Sequence, residues 1–237
     1  MHKYHILFLW ACLSVWVSLS PNRSLAQSLM GTTGLATIPT ARMQTDGTIS
    51  MGASFFDKKY QEYFEGTEDI GHAYINITFL PFLELAFRAN RPLPYKYKGT
   101  SNDFYTVDRT PMVRLRAIHE RKYLPAIVVG IHDFASTTNI NTVHFNATYI
   151  VFSKQIKHFD LHFGYAPLIM KAKYYQLNGP FGGLAYSPHK AIQVQAEYDT
   201  KSINAGVQIL LLKHLGINLA TINFDSWAVG MNCKYIL

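Results

Sequence analysis

Cysteine is almost missing from this chain: of its 237 residues two are cysteines, Cys12 and Cys233. Cys12 lies in an N-terminal segment with the pattern of a removable leader, so Cys233 is left alone. An exported chain then has no internal disulfide and no zinc site built on paired cysteines. Charge is also scarce, at 16% of residues, too little for a disordered tail or a coiled coil. The excess of Lys and Arg gives a formal charge of +7, but it is spread without a basic run, which argues against a nucleic-acid surface. Past residue 27 no stretch reaches about 18 consecutive apolar residues, so the sequence predicts no transmembrane helix. The ten histidines form no His-Glu-x-x-His pair and no close His/Cys/Asp cluster, and the glycines between Gly31 and Gly47 precede no Gly-Lys-Ser/Thr. No metal and no cofactor is expected.

Hydrophobic residues make up 49% of the chain and aromatics 14%. The first 26 residues read as a secretory signal peptide, with Lys3, an apolar run from Ile6 to Leu19, Pro21, and Ser24-Leu25-Ala26 as the cleavage site before Gln27. The run is short for a membrane anchor, and cleavage at Cys12 in the manner of a lipoprotein would leave too little of it. Losing Lys3 and Arg23 lowers the formal charge from +7 to +5.

Period-two alternation recurs through the remainder, most strictly in Ile192-Gln193-Val194-Gln195-Ala196-Glu197-Tyr198-Asp199. It predicts twelve strands: Thr48 to Phe56, Ala73 to Phe79, Leu83 to Asn90, Val113 to Glu120, Ala126 to Phe134, Phe145 to Lys154, Asp160 to Ala166, Gly182 to Ser187, Ile192 to Asp199, Ile203 to Leu211, Leu215 to Ile222 and Ala228 to Ile236. Short turns such as Leu80-Pro81-Phe82 and Lys157-His158 alternate with connections that include long polar ones. An even strand count with turns at one end and loops at the other describes a closed antiparallel outer-membrane β-barrel. A soluble sandwich offers no reason for such asymmetry. The expected organisation is a signal peptide over 1–26, a periplasmic leader or plug over 27–47, and a barrel over 48–237.

Barrel alternation sends Leu83, Leu85, Phe87, Val113, Leu115 and Val229 to lipid. Glu84, Arg88, Arg114, Arg116, Glu120, Gln193, Gln195, Glu197 and Lys234 then face the lumen. Phe79, Phe82, Tyr123, Phe159, Tyr186 and Tyr235 fall near the short-turn end, where an aromatic girdle belongs. Asp133 breaks the pattern, because facing it inward also turns Ile127, Val129 and Ile131 inward; either a bulge intervenes or Asp133 stands in the loop entrance. Barrels of about eight strands fill with side chains and those of about sixteen leave a channel, so twelve predict a narrow or plugged pore. In it the arginines either pair with the glutamates or contact anionic sugars or ions.

Several strings resemble the YjbH-type outer-membrane proteins associated with exopolysaccharide and capsule production. They are Ile38-Pro39-Thr40-Ala41-Arg42-Met43, Tyr123 to Phe134, Tyr149 to Lys154, Gly179-Pro180-Phe181-Gly182-Gly183 and Ala196-Glu197-Tyr198-Asp199. Pro39, Arg42, Asp133 and Lys154 are the polar or constrained positions within them. Larger members resemble two barrels in tandem, whereas this sequence has length for one. The resemblance implies a non-enzymatic outer-membrane barrel with an accessory role in exopolysaccharide production or export. Its implied partners are outer-membrane lipid, the polysaccharide with its secretion machinery, and the barrel-assembly machinery during biogenesis. A small diffusion channel is the competing class. An outer-membrane hydrolase using Ser153, His162 and Asn146 is a further one, although alternation does not put all three on the lipid-facing side. In outer-membrane fractions the protein is expected to migrate differently on gels with and without boiling; recovery from the soluble periplasm contradicts the barrel.

Overall fold

Every predicted strand forms, and the sheet they build has no edge. The computed structural model describes residues 27–60, 69–93, 107–134, 144–169, 172, 177–211 and 214–237; the expected signal peptide lies outside them. The strands are β1 (Thr48–Phe56), β2 (Asp69–Leu80), β3 (Leu83–Leu93), β4 (Asp108–Ile118), β5 (Ala126–His132), β6 (Ala147–Ile156), β7 (Phe159–Ala166), β8 (Gly179–His189), β9 (Ile192–Tyr198), β10 (Ile203–Leu211), β11 (Leu215–Ile222) and β12 (Ser226–Ile236). Each pairs antiparallel with its sequence neighbours, and β1 closes on β12 from Thr48↔Ile236 to Phe56↔Ala228. Lipid demands closure, since an open edge there leaves backbone donors and acceptors unpaired. Among the described residues no helix is long and apolar enough to cross a membrane; the strands make the crossing.

The hairpins β2–β3, β4–β5, β6–β7, β8–β9 and β10–β11 turn at one end, where Leu237 N–H also donates to Gly47 O at 3.0 Å. The longest intervals, 57–68, 94–107, 133–146 and 167–178, leave from the other end. All three register shifts, between Thr78 and Leu80, Arg116 and Ile118, and Tyr186 and His189, lie beside short turns.

Four strands reach at least three residues further toward the loops than hydropathy alone predicts. β2 starts at Asp69, β3 continues to Leu93, β4 starts at Asp108 and β8 starts at Gly179. Pro92, Pro111 and Pro180 hid these extensions; the register passes straight through Ile70↔Pro92, Phe87↔Pro111 and Tyr165↔Pro180, because each proline withdraws a single donor. Other ends move the opposite way. β6 begins at Ala147 instead of Phe145, and β4 stops at Ile118, which puts Glu120 in the following turn and not on a strand. β5 stops at His132 because Asp133 takes the left-handed conformation, φ 54°. That single residue removes the parity conflict: His132 and Asp133 are both buried, while Val129 remains exposed on the outer face.

Outward positions such as Leu115, Val129, Val194 and Met231 are exposed, as a lipid-facing band requires. Phe79, Phe82, Tyr123, Phe159, Tyr186 and Tyr235 are exposed around the short-turn end, with the Phe159 and Tyr186 rings 4.9 Å apart. Inside, three cross-strand pairs share one device. Gly52↔Tyr74, Gly130↔Tyr149 and Gly164↔Phe181 each set a glycine opposite an inward aromatic whose ring lies over it, in the space a Cβ would occupy. The rings thereby lie flat along the wall and leave the axis of the barrel for other chain.

Neighbouring residues of β5 test this two-sided wall. Val129→Arg puts a charge into lipid and is expected to destabilise by about 2–4 kcal/mol if it lies near the midplane. Gly130→Leu drives a side chain into Tyr149 and is expected to cost about 1–3 kcal/mol. Urea unfolding midpoints read both, with Val129→Leu expected to stay near wild type.

Candidate functional site

The axis is filled by residues 27–47. Glycines and a proline keep this segment irregular: Gly31 and Gly47 take positive φ, and the only ladder-like contacts are the bridges Gln27↔Thr33 and Gly34↔Pro39. It folds back on itself through Ser28 N–H to Thr32 O (2.9 Å), Leu29 N–H to Ala36 O (2.9 Å) and Leu35 N–H to Ile38 O (3.0 Å). Leu29, Met30, Leu35, Ala36 and Ile38 are buried with Phe56, Tyr149 and Phe181 in one apolar cluster. The tip of Leu35 occupies the space above Gly183 and that of Leu29 the space above Gly230. The segment thus lies inside the barrel as a plug.

A buried irregular segment has backbone donors and acceptors that no sheet satisfies, and inward side chains of the wall meet them. Glu84 accepts from Thr33 N–H (3.0 Å), Thr33 Oγ1 (2.8 Å) and Asn76 (2.8 Å), and Arg114 donates to it at 2.7 Å. Glu84 and Arg114 are both 0% exposed. Arg114 also donates to Thr40 O and Arg42 O. Across the lumen Glu197 accepts from Thr37 N–H (2.8 Å) and from Asn204 (3.2 Å). Arg88 donates to Met30 O (3.0 Å), its guanidinium 4.9 Å over the Phe145 ring, while Asn76 reaches Gly31 O and Gln208 reaches Gln27 O. Two buried carboxyl groups and two buried guanidiniums thus hold the plug, Glu84, Arg88 and Arg114 through charge-assisted bonds, which are stronger than neutral ones.

At the short-turn mouth Arg42 clamps the plug to the rim. Its guanidinium donates to both Asp160 oxygens (2.8 and 2.6 Å) and to Glu120 (2.5 Å). Partial burial pushes the Glu120 carboxyl up, but hydrogen bonds from Arg42, the Gln155 amide and Lys154 outweigh it and hold Glu120 below the usual carboxylate range. Ser153 Oγ accepts the Ala41 amide at 2.7 Å and lies 2.7 Å from His162 Nδ1, whose Nε2 is 3.8 Å from Asp160. This resembles a nucleophile array, but the serine is capped by plug backbone and the aspartate is held by Arg42. Asn146 is at the opposite end, bonded to His132 O and Asp133 O.

The stretch that forms the plug and strands β1 to β7 is also the stretch that a family model matches. The family model described as "Exopolysaccharide biosynthesis protein YbjH" matches residues 26–174. The chain belongs to the YjbH family. The uncharacterized lipoprotein YjbH of Escherichia coli K12 is 28% identical over 142 residues, 59% of this chain, and the chain spans 18% of that relative's length. Among solved structures, a KdgM porin in complex with disordered oligogalacturonate aligns with TM-score 0.48 and 13% identity, over 80% of this chain and 99% of that one. Outer membrane phospholipase A of E. coli aligns at 0.41 and 7%, over 82% and 94%.

In this YjbH-family barrel the motif residues do separate jobs. Pro39 closes the second plug bridge and Arg42 is the mouth clamp. Lys154 sits 3.1 Å from Glu120 and donates to Arg121 O across the β4–β5 turn. Asp133 is remote from all of them: its N–H donates to Pro111 O, its carboxylate accepts from Phe145 N–H, and burial raises its pKa. Of the remaining lumen candidates, Gln195 bonds Asn218 and Gln193 bonds Gln195, and Lys234 is half-buried near the mouth. Arg116 does not join the glutamates; it donates to Pro81 O and lies 3.2 Å from His119. Thr33, Thr37 and Asp160 escaped the sequence reading, and Ser153 entered it only as a hydrolase candidate. Alternation could have put Ser153 and Asp160 on the lumen face, but nothing local marks which wall residue a plug threonine meets.

Arg114→Gln leaves Glu84 buried without its charge partner and is expected to cost about 3–5 kcal/mol. Arg116→Gln is expected to cost under about 1 kcal/mol, because that side chain is partly exposed and bonds one turn carbonyl. Denaturant unfolding of the two single variants measures the contrast.

Proposed function

We propose that this barrel is a non-catalytic accessory of exopolysaccharide production or export, carried to the outer membrane by a cleaved signal peptide. Membership of a family described by exopolysaccharide biosynthesis supports the pathway. The single observation that carries the mode of action is the plug: residues 27–41 are buried throughout, and the wall binds their backbone with ionised side chains. Such a lumen suits a docking or gated component of a secretion assembly better than free diffusion. The Ser153–His162 pair supports no hydrolase, since the plug amide of Ala41 caps the nucleophile and a reacting carbonyl needs that place. Partners in this reading are outer-membrane lipid, the polysaccharide and its secretion machinery, with the barrel-assembly machinery inserting the chain.

Gene deletion is expected to change the amount, length or release of surface polysaccharide, with restoration by the intact gene. In planar bilayers the wild-type protein is expected to conduct poorly, and Arg42→Gln combined with Thr33→Pro, which breaks the clamp and both Thr33–Glu84 hydrogen bonds, is expected to raise conductance. Unchanged polysaccharide together with high wild-type conductance is the outcome for a plain diffusion channel.

A further inference from the structure

Between the plug and the short-turn mouth lies a cavity of about 430 Å³. Its size falls within the ordinary range for small-ligand sites, roughly 300–1,000 Å³. Plug residues Thr33 to Leu35, Thr40 and Arg42 form its inner boundary, and the ends of strands from β6 to β12 form its sides. The wall lines it with four side-chain amides, Gln155, Gln193, Gln208 and Asn232, and the plug adds Gln27. An amide presents a donor and an acceptor side by side, the pattern that vicinal hydroxyls complement. The lining contains one carboxylate, Asp160, and Arg42 occupies both of its oxygens. Lys190, at the β8–β9 turn, lines the cavity without an ion pair among the described residues, and His158 and His189 stand beside it. Arg42 and Lys190 against the single carboxylate Asp160 leave the lining with a surplus of positive charge, which an anionic organic ligand matches.

We propose that this cavity binds an acidic saccharide presented from the periplasmic side. Its hydroxyls meet the amides, and its carboxylate is held by Lys190 with the adjacent imidazoles. The choice of a sugar rests on the exopolysaccharide reading above; the charge and the hydrogen-bonding pattern rest on the cavity alone. The plug then forms the floor of the site, and Arg42 ties ligand-facing and plug-holding groups into one network.

The test uses the purified full chain, folded in detergent, titrated calorimetrically with β-1,4-linked tetramannuronate and with cellotetraose, a neutral tetrasaccharide of the same linkage. Tetramannuronate is expected to bind at least about tenfold more tightly, the worth of one charge-assisted hydrogen bond. Lys190→Gln is expected to abolish that preference, and Gln193→Leu to weaken both sugars by about tenfold, in variants that keep the heat-dependent mobility of the folded barrel. Equal affinity for the two sugars, no binding of either, indifference to Lys190→Gln, or equal competition by inorganic phosphate overturns the proposal. Failure here with a polysaccharide defect in the deletion strain leaves the accessory role standing without this site. Binding here with no defect leaves the site standing without that role.

Discussion

A ring of twelve strands encloses more space than its inward side chains fill, and the space is taken by polypeptide that belongs to no sheet. Backbone buried in that way must be hydrogen-bonded or lose about 1–3 kcal/mol for each group left unpaired. The requirement governs the interior. It explains why Glu84, Glu197, Arg88 and Arg114 are buried although ionisable, why each is bonded to plug backbone, and why glycines face inward opposite Tyr74, Tyr149 and Phe181. Without rings lying flat against the wall there is no room for the plug; without the charged groups the plug has room but no partners.

The same demand separates the two ends of the lumen. In the middle, Glu84 and Arg114 are wholly desolvated, so their pairing is strong only because further donors and acceptors surround both. Glu84 has four donors around it, and Arg114 reaches two plug carbonyls. At the mouth, Arg42, Asp160, Glu120 and Lys154 are all partly exposed, and water screens their attraction. The plug is therefore held rigidly along its buried run and more weakly where it meets the periplasm.

Strand positions were legible because a barrel wall separates lipid from a polar interior at every second residue. β1, β10 and β11 match their expected bounds. Misjudged ends have local causes: prolines that interrupt hydropathy without interrupting register, and the left-handed turn at Asp133 that no alternation rule contains. Charged lumen candidates were legible for the same reason, since an ionised group facing lipid is too costly to keep. Glu120 was assigned to a strand and belongs to a turn, where a register shift beside Ile118 redirects the chain toward Arg42.

Composition and period-two patterning were sufficient for the closed barrel and for the two faces of strands such as β3, β4 and β9, because those follow from the contrast between lipid and water along a continuous stretch of chain. They left open whether residues 27–47 enter the lumen, and which partner each buried charge takes. Thr33 meets Glu84 across 51 positions of sequence and Thr37 meets Glu197 across 160. Such pairs depend on the depth at which an irregular segment stops inside the wall. That depth is set by Leu29 and Leu35 fitting above Gly230 and Gly183, a match of shapes formed only once the barrel has closed.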